Sequence, residues 1–185
     1  GGQGAVTTGQ IIAIAALYDK KYSQSFPMFG VERRGAPVEA FARIDKAPIS
    51  IRSQVYNPDI VLVLDPTLSH SINVAQGIKE GGIIIINTSK KPKDIKIKEM
   101  KEAQSSFKVY TIDATSVALR VFKRPIVNTP ILGAFSAITG LVSLKSLLKA
   151  VDERFSGKKE MAELNKTAIR ELYEKAPTSG MSAYT

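Results

Sequence analysis

The chain contains no cysteine. Disulfides, a cysteine nucleophile and a cysteine-held iron–sulfur cluster are therefore excluded from it. Histidine occurs once, as His70, so a zinc site is not expected either. Long hydrophobic runs are missing: the longest, Ile60–Leu64 and Ile83–Ile86, are far too short to cross a bilayer. No signal peptide is visible, and the expected location is cytoplasmic. Acidic residues are scarce, 17 against 26 lysines and arginines, which leaves a net charge of +9. Such a surface favours anionic partners: nucleic acid, a nucleotide-like cofactor or an acidic subunit. The lysines at 90, 91, 93, 96, 98 and 101 have no interleaved aromatic residues to stack bases. They read as a solvated face, and nucleic acid is not expected as a partner. If the chain serves a redox enzyme, the electron carriers must sit on another subunit.

What is present is ordinary for one sizeable α/β domain: 185 residues, 44% hydrophobic and 23% charged. The chain is organised around its first stretch, Gly1-Gly2-Gln3-Gly4-Ala5-Val6-Thr7-Thr8. Three glycines in four residues suit a tight loop that needs positive φ or close approach by another molecule. Thr7 and Thr8 can cap the segment that follows, and Ile11–Leu17 is almost wholly apolar. A glycine loop feeding a buried helix leaves free N–H groups and a positive dipole end at one spot. That arrangement suits a phosphate, and equally a tight connection with no ligand.

Residues 23–37 (SQSFPMFGVERRGAP) read as a long shaped loop, anchored by Phe26 and Phe29 and carrying Arg33 and Arg34 at its tip. Val38–Ile44 and Ile49–Arg52 alternate, which predicts a hairpin between them. Ile60–Leu64, Ile83–Ile86 and Val109–Asp113 read as strands, the first two with no polar face, as in a parallel sheet. Helices are predicted over Ser69–Lys79, Pro92–Gln104, Ala114–Lys123, Ile131–Thr139, Ser143–Phe155 and Lys158–Ala176. Small residues in Ile131–Thr139 permit close packing. Pro177–Thr185 reads as a loose tail, or an arm that orders against a partner.

This alternation predicts a three-layer α/β/α fold with a mostly parallel, mixed sheet and a C-terminal helical extension. Ligands of such sheets sit beyond the carboxyl ends of the strands. Those ends are Asp65-Pro66-Thr67, Asn87-Thr88-Ser89 and Asp113-Ala114-Thr115. His70 is read as exposed or capping rather than as a base, and Asp65 and Asp113 as structural. No residue is a convincing catalytic nucleophile or base.

Several blocks occur in a specific order: GGQG, FPMFGVERRGAPVEAF, PDIVLVLDPTL, IIIINTS and VNTPILGAFSAITG. In that order and spacing the chain resembles the gamma subunit of 2-oxoacid:ferredoxin oxidoreductases, and the corresponding domain of single-chain pyruvate:ferredoxin oxidoreductase. The resemblance runs to about Ala176. It implies residues 1–157 as the α/β gamma-subunit domain and 158–185 as a helix and tail. Members of this family begin with a further strand, so the resemblance also implies a missing first strand.

The family oxidatively decarboxylates a 2-oxoacid in the presence of coenzyme A, giving an acyl-coenzyme A, CO2 and reduced ferredoxin. The ERRGAPV form points to pyruvate first and to 2-oxoisovalerate second. Thiamine diphosphate with Mg and the [4Fe-4S] clusters are implied for the alpha, beta and delta partners, and none for this chain. The implied role here is to help bind coenzyme A as a substrate and to cover the thiamine diphosphate site. Its phosphates call for cationic side chains and free N–H groups. Arg33 and Arg34 would clamp phosphate; Gly2, Gln3 and Gly4 would offer backbone donors, and Thr7 a hydroxyl. Glu32 would hold one arginine. Asn128 and Thr129 would either contribute to the site or only cap the helix at Pro130. Two other readings stand beside this one: a stand-alone nucleotide-binding regulatory module, and a nucleic-acid-binding protein, against which the missing aromatic platform weighs.

Overall fold

The computed structural model describes residues 2–28, 37–97, 106–177 and 181–182. The first helix, α1 (Ala5–Tyr18), is apolar on nearly every side, and the fold uses it accordingly. One side meets a two-stranded antiparallel sheet made of β1 (Tyr22–Met28) and β2 (Glu39–Asp45). Another meets α5 (Leu144–Arg154).

The hairpin departs from the sequence expectation. It joins 22–28 to 39–45, whereas Ile49–Arg52 forms no strand. The reason lies in what alternates along β1. Tyr22, Gln24, Phe26 and Met28 share one face; Ser23, Ser25 and Pro27 share the other, opposite Ile44, Ala42 and Ala40. The contrast is large against small, not apolar against polar. The small face lies on α1: a β-carbon on Gly9 would stand 2.8 Å from Ser25 Oγ, and the Ser23 hydroxyl donates to the Ala13 carbonyl at 2.7 Å. Pro27 is tolerated because each strand of a two-stranded ribbon has a free edge. On the large face, Phe26 and Phe41 pack at 5.5 Å between ring centres, and the Arg43 guanidinium lies 5.2 Å from the Phe26 ring. Arg43 also donates to the carbonyls of Ser53 and Gln54, which holds the segment after β2 against this face. Phe29, Glu32, Arg33 and Arg34 lie outside the described residues.

The main sheet has the order β3-β4-β5-β6. Strands β3 (Ile60–Val63), β4 (Ile83–Asn87) and β5 (Lys108–Ile112) are parallel, in the register Ile60–Ile83 and Ile83–Lys108. The fold is α/β with a mostly parallel, mixed sheet and a C-terminal helix, as expected. Met181 and Ser182 form β6, antiparallel to Val109 and Lys108. Part of the tail thus returns to the sheet of its own chain.

One face of the sheet, with Ile85, Tyr110 and Ile112, packs on a large helical core. That core holds α1, α3 (Ala114–Phe122), α4 (Ile131–Thr139), α5 and α6 (Lys159–Glu174). Close packing at α4 is real: a β-carbon on Gly133 would fall 2.0 Å from the Ile169 carbonyl oxygen of α6. The buried stripe of α6 is Ala162, Asn165, Ala168, Ile169 and Leu172, and Met161 is exposed. The opposite sheet face, with Val63, Ile84, Ile86 and Val109, is covered by Leu68, Val74, Ala75, Ile78, Ile95, Ile97 and Phe107.

Two helices expected from the sequence differ in the described residues. Ser69–Lys79 contributes one turn, α2 (Leu68–Ser71). The Asn73 side chain then accepts from the Ala75 N–H, and Gly77 takes φ +72, so the chain turns away from helix. Of Pro92–Gln104, the described residues 92–97 hold one 3-10 turn, Pro92–Asp94, after which Ile95 is extended. Residues 98–105 lie outside the described residues.

Candidate functional site

The carboxyl end of β3 meets the turn before α1 through the side chains of Gln3 and Asp65. Gly4 is the N-cap of α1 at φ +80, and Gly2 also has positive φ, +86. The helix therefore starts at Ala5, ahead of Thr7 and Thr8, because glycine backbone makes the turn that a threonine cap was expected to make. Among the described residues no side chain caps the first turn of α1. Its leading N–H groups and dipole end are available for an anion.

The Gln3 amide donates to Asp65 Oδ2 at 2.9 Å, joining the glycine turn to the end of β3. The other oxygen of Asp65 accepts from the Thr67 N–H at 2.9 Å and from its hydroxyl at 2.6 Å. The Thr67 hydroxyl is the chief reason the Asp65 carboxyl titrates below the usual carboxylate range; the Thr67 N–H and Gln3 add to it, against partial burial. On the other side, Asn128 lies against the turn: a β-carbon on Gly4 would stand 2.6 Å from Asn128 Nδ2. The Thr8 hydroxyl lies 3.1 Å from the Gly4 carbonyl and 3.0 Å from that of Asn128, and donates between them.

Asn87, at the end of β4, is buried and ties the neighbouring strand ends together. Its Nδ2 donates to the Leu64 carbonyl at 2.9 Å and to the Thr115 hydroxyl at 3.0 Å. Its Oδ1 accepts the Ala114 N–H at 3.1 Å, which satisfies a leading donor of α3. Asp113 caps the same helix, accepting from the Ser116 N–H at 2.9 Å and its hydroxyl at 2.6 Å.

Of the expected site residues, Gly2, Gln3, Gly4 and Asn128 gather beside the end of β3; Thr7 lies in the first turn of α1, and Thr129 is next to Asn128 in the chain. Neither Asn128 nor Thr129 caps α4, whose N-cap is Pro130 without a side-chain bond. Thr129 is buried, and its carbonyl accepts from the Leu132 N–H. Glu32, Arg33 and Arg34 are outside the described residues. His70 is exposed on α2. The sequence reading treats Asp65 and Asn87 only as strand ends. A polar side chain closing a wholly apolar strand is the signal that marks them.

Among the described residues no three metal-ligating side chains cluster, and the whole chain lacks thiols. The donor set does not fit an iron–sulfur cluster. An uncapped helix start beside backbone N–H groups does fit a phosphate. No helix among the described residues is long and apolar enough to cross a membrane.

Fold and edge together define an α/β domain whose first helix starts from a glycine turn tied to the end of a strand of a parallel sheet. The family model for pyruvate ferredoxin/flavodoxin oxidoreductase matches residues 1–175, and the chain belongs to that family. It is 50% identical over 175 residues to the "pyruvate/ketoisovalerate oxidoreductases common subunit gamma" of Pyrococcus furiosus, covering 95% of this chain and 92% of that one. It is 51% identical over 180 residues to "pyruvate synthase subunit PorC" of Methanothermobacter marburgensis, covering 97% and 95%. Among solved structures it resembles pyruvate oxidoreductase subunit PORC of Thermotoga maritima, with a TM-score of 0.74 and 39% identity over 94% of this chain and 90% of that one.

Proposed function

We propose that this chain is the gamma subunit of a pyruvate:ferredoxin oxidoreductase complex, an activity of the EC 1.2.7.1 type. The single observation that carries this reading is the family match over residues 1–175, with half of the residues identical to subunits so named. The complex would convert pyruvate and coenzyme A to acetyl-coenzyme A, CO2 and reduced ferredoxin. 2-Oxoisovalerate is the second substrate, because the Pyrococcus relative is named for both oxoacids.

Within the complex this chain binds and positions; it supplies no catalytic group. Thiamine diphosphate and Mg on the alpha and beta subunits, with [4Fe-4S] clusters on beta or delta, supply the carbanion and redox chemistry. The absence of cysteine from this chain supports that division. So does apolar surface left for companions: Tyr22, Met28, Val38, Ile51 and Tyr56, on the hairpin and the segment after it, are all exposed. The expected compartment is the cytoplasm.

Coenzyme A is the ligand we assign to the glycine turn. Its phosphates would meet the backbone donors of Gly2, Gln3 and Gly4, the leading turn of α1 with Thr7, and Asn128 and Thr129 alongside. Arg33 and Arg34 would supply the charge, with Glu32 orienting one of them. The test is the Michaelis constant for coenzyme A in the purified complex. Arg33→Ala and Arg34→Ala are each expected to raise it roughly 10–100-fold, the loss of a charge-assisted contact. An unchanged constant for both variants contradicts the assignment.

A further inference from the structure

We propose that Asp65 is a positioning residue for the coenzyme-binding turn, acting through Gln3. This inference rests on the assignment of coenzyme A to that turn. Gln3 stands between two glycines with φ of +86 and +80, so its own backbone gives the turn little stiffness. Side chains must supply it. Asn128 bears on Gly4 from one side. On the other, the Gln3 amide reaches Asp65 across 62 residues of sequence.

Asp65 is suited to fix that reach. Thr67 occupies one carboxylate oxygen with two hydrogen bonds, which sets the plane of the group and aims the other oxygen at Gln3. The residue before it is fixed in turn, because the buried Asn87 amide donates to the Leu64 carbonyl. Asn87 also holds the first N–H of α3. Hydrogen bonds, joined by the Leu64–Asp65 peptide bond, thus link α3 through the ends of β4 and β3 to the glycine turn. Direct contact between Asp65 and a phosphate would be repulsive. With the neutral Gln3 amide between them, the carboxylate would orient the turn without meeting the anion.

The test is a double-mutant cycle in the assembled complex. Gln3→Ala removes the donor at an exposed position. Asp65→Ser leaves an oxygen for the Thr67 N–H, as serine does in turns, and removes the oxygen that faces Gln3. Each variant is expected to raise the Michaelis constant for coenzyme A about 2–10-fold. For Asp65→Ser, kcat at saturating coenzyme and the Michaelis constant for pyruvate should stay at the parent values. The double variant should be no worse than the poorer single one, because both remove the same tie. Effects that multiply would overturn the positioning role and leave the coenzyme assignment standing. If all three variants assemble with an unchanged constant for coenzyme A, the positioning role is overturned, and the coenzyme assignment is then decided separately by Arg33→Ala and Arg34→Ala. The tie would then show only as non-additive shifts in Tm.

Discussion

Asn128 occupies the space that a side chain at residue 4 would need: its Nδ2 and Cγ lie 2.6 and 2.8 Å from the position of a β-carbon on Gly4. The same glycine has φ +80. Gly4→Ala therefore meets two separate costs, a left-handed backbone of about 1–3 kcal/mol and a clash. Thermal unfolding should show a clear loss of stability for Gly4→Ala. Adding Asn128→Ala should recover only part of it, because the backbone cost remains. Full recovery would mean that contact alone selects glycine here.

At Gly133 the obstacle is backbone. A β-carbon would lie 2.0 Å from the Ile169 carbonyl oxygen and 2.8 Å from the Tyr173 nitrogen. Neither can swing aside as a side chain would, so α4 and α6 must separate. Gly133→Ala should destabilise the protein by about 1–3 kcal/mol or more, although alanine is the better helix former. A denaturant midpoint at or above the parent value would contradict the observed packing.

Asn87 is buried, and its amide serves a carbonyl on one side and an N–H on the other. Asn87→Ala strands the Leu64 carbonyl and the Ala114 N–H together. The expected loss is roughly 2–4 kcal/mol, read from chemical denaturation. A loss below about 0.5 kcal/mol, the range of ordinary surface substitutions, would show that the strand ends do not depend on it.

Glu171 on α6 accepts from Arg120 of α3, first in effect, and from Lys175, and these hold its carboxyl down at about 2. A depressed carboxylate pKa contributes stability that is fully present above the unfolded value and is lost as pH falls through the folded one. Arg120 and Lys175 are more than half exposed, so screening limits the contribution to on the order of 1–2 kcal/mol. Glu171→Gln should lower stability at neutral pH and flatten the decline between about pH 4.5 and 2. An acid limb of unchanged slope would contradict this.

The parallel strands are legible in the sequence because Ile60–Leu64 and Ile83–Ile86 are continuous apolar runs, which only a sheet covered on both faces requires. Helices α4, α5 and α6 are legible from period and from Gly140, which takes the left-handed C-cap of α4. β1 is not, since Ser23, Ser25 and Pro27 look like loop residues until α1, with Gly9, is set against them. The end of the Ser69–Lys79 helix is hidden for a similar reason: the turn at Asn73 competes locally with helix, and periodicity does not register it. At the site, the glycine turn can be read from composition alone. Its partners Asp65 and Asn128 cannot, because the fold brings them to it across 62 and 124 residues of chain.

The central claim is that this cationic, thiol-free chain works only inside a larger assembly. The most direct measurement is ferredoxin reduction driven by pyruvate and coenzyme A, made on the native assembly purified through this chain and on the chain alone. The account predicts that thiamine diphosphate, iron and companion subunits copurify, and that activity belongs to the assembly while the isolated chain has none. Full activity from the chain by itself, with no companion present, would contradict it.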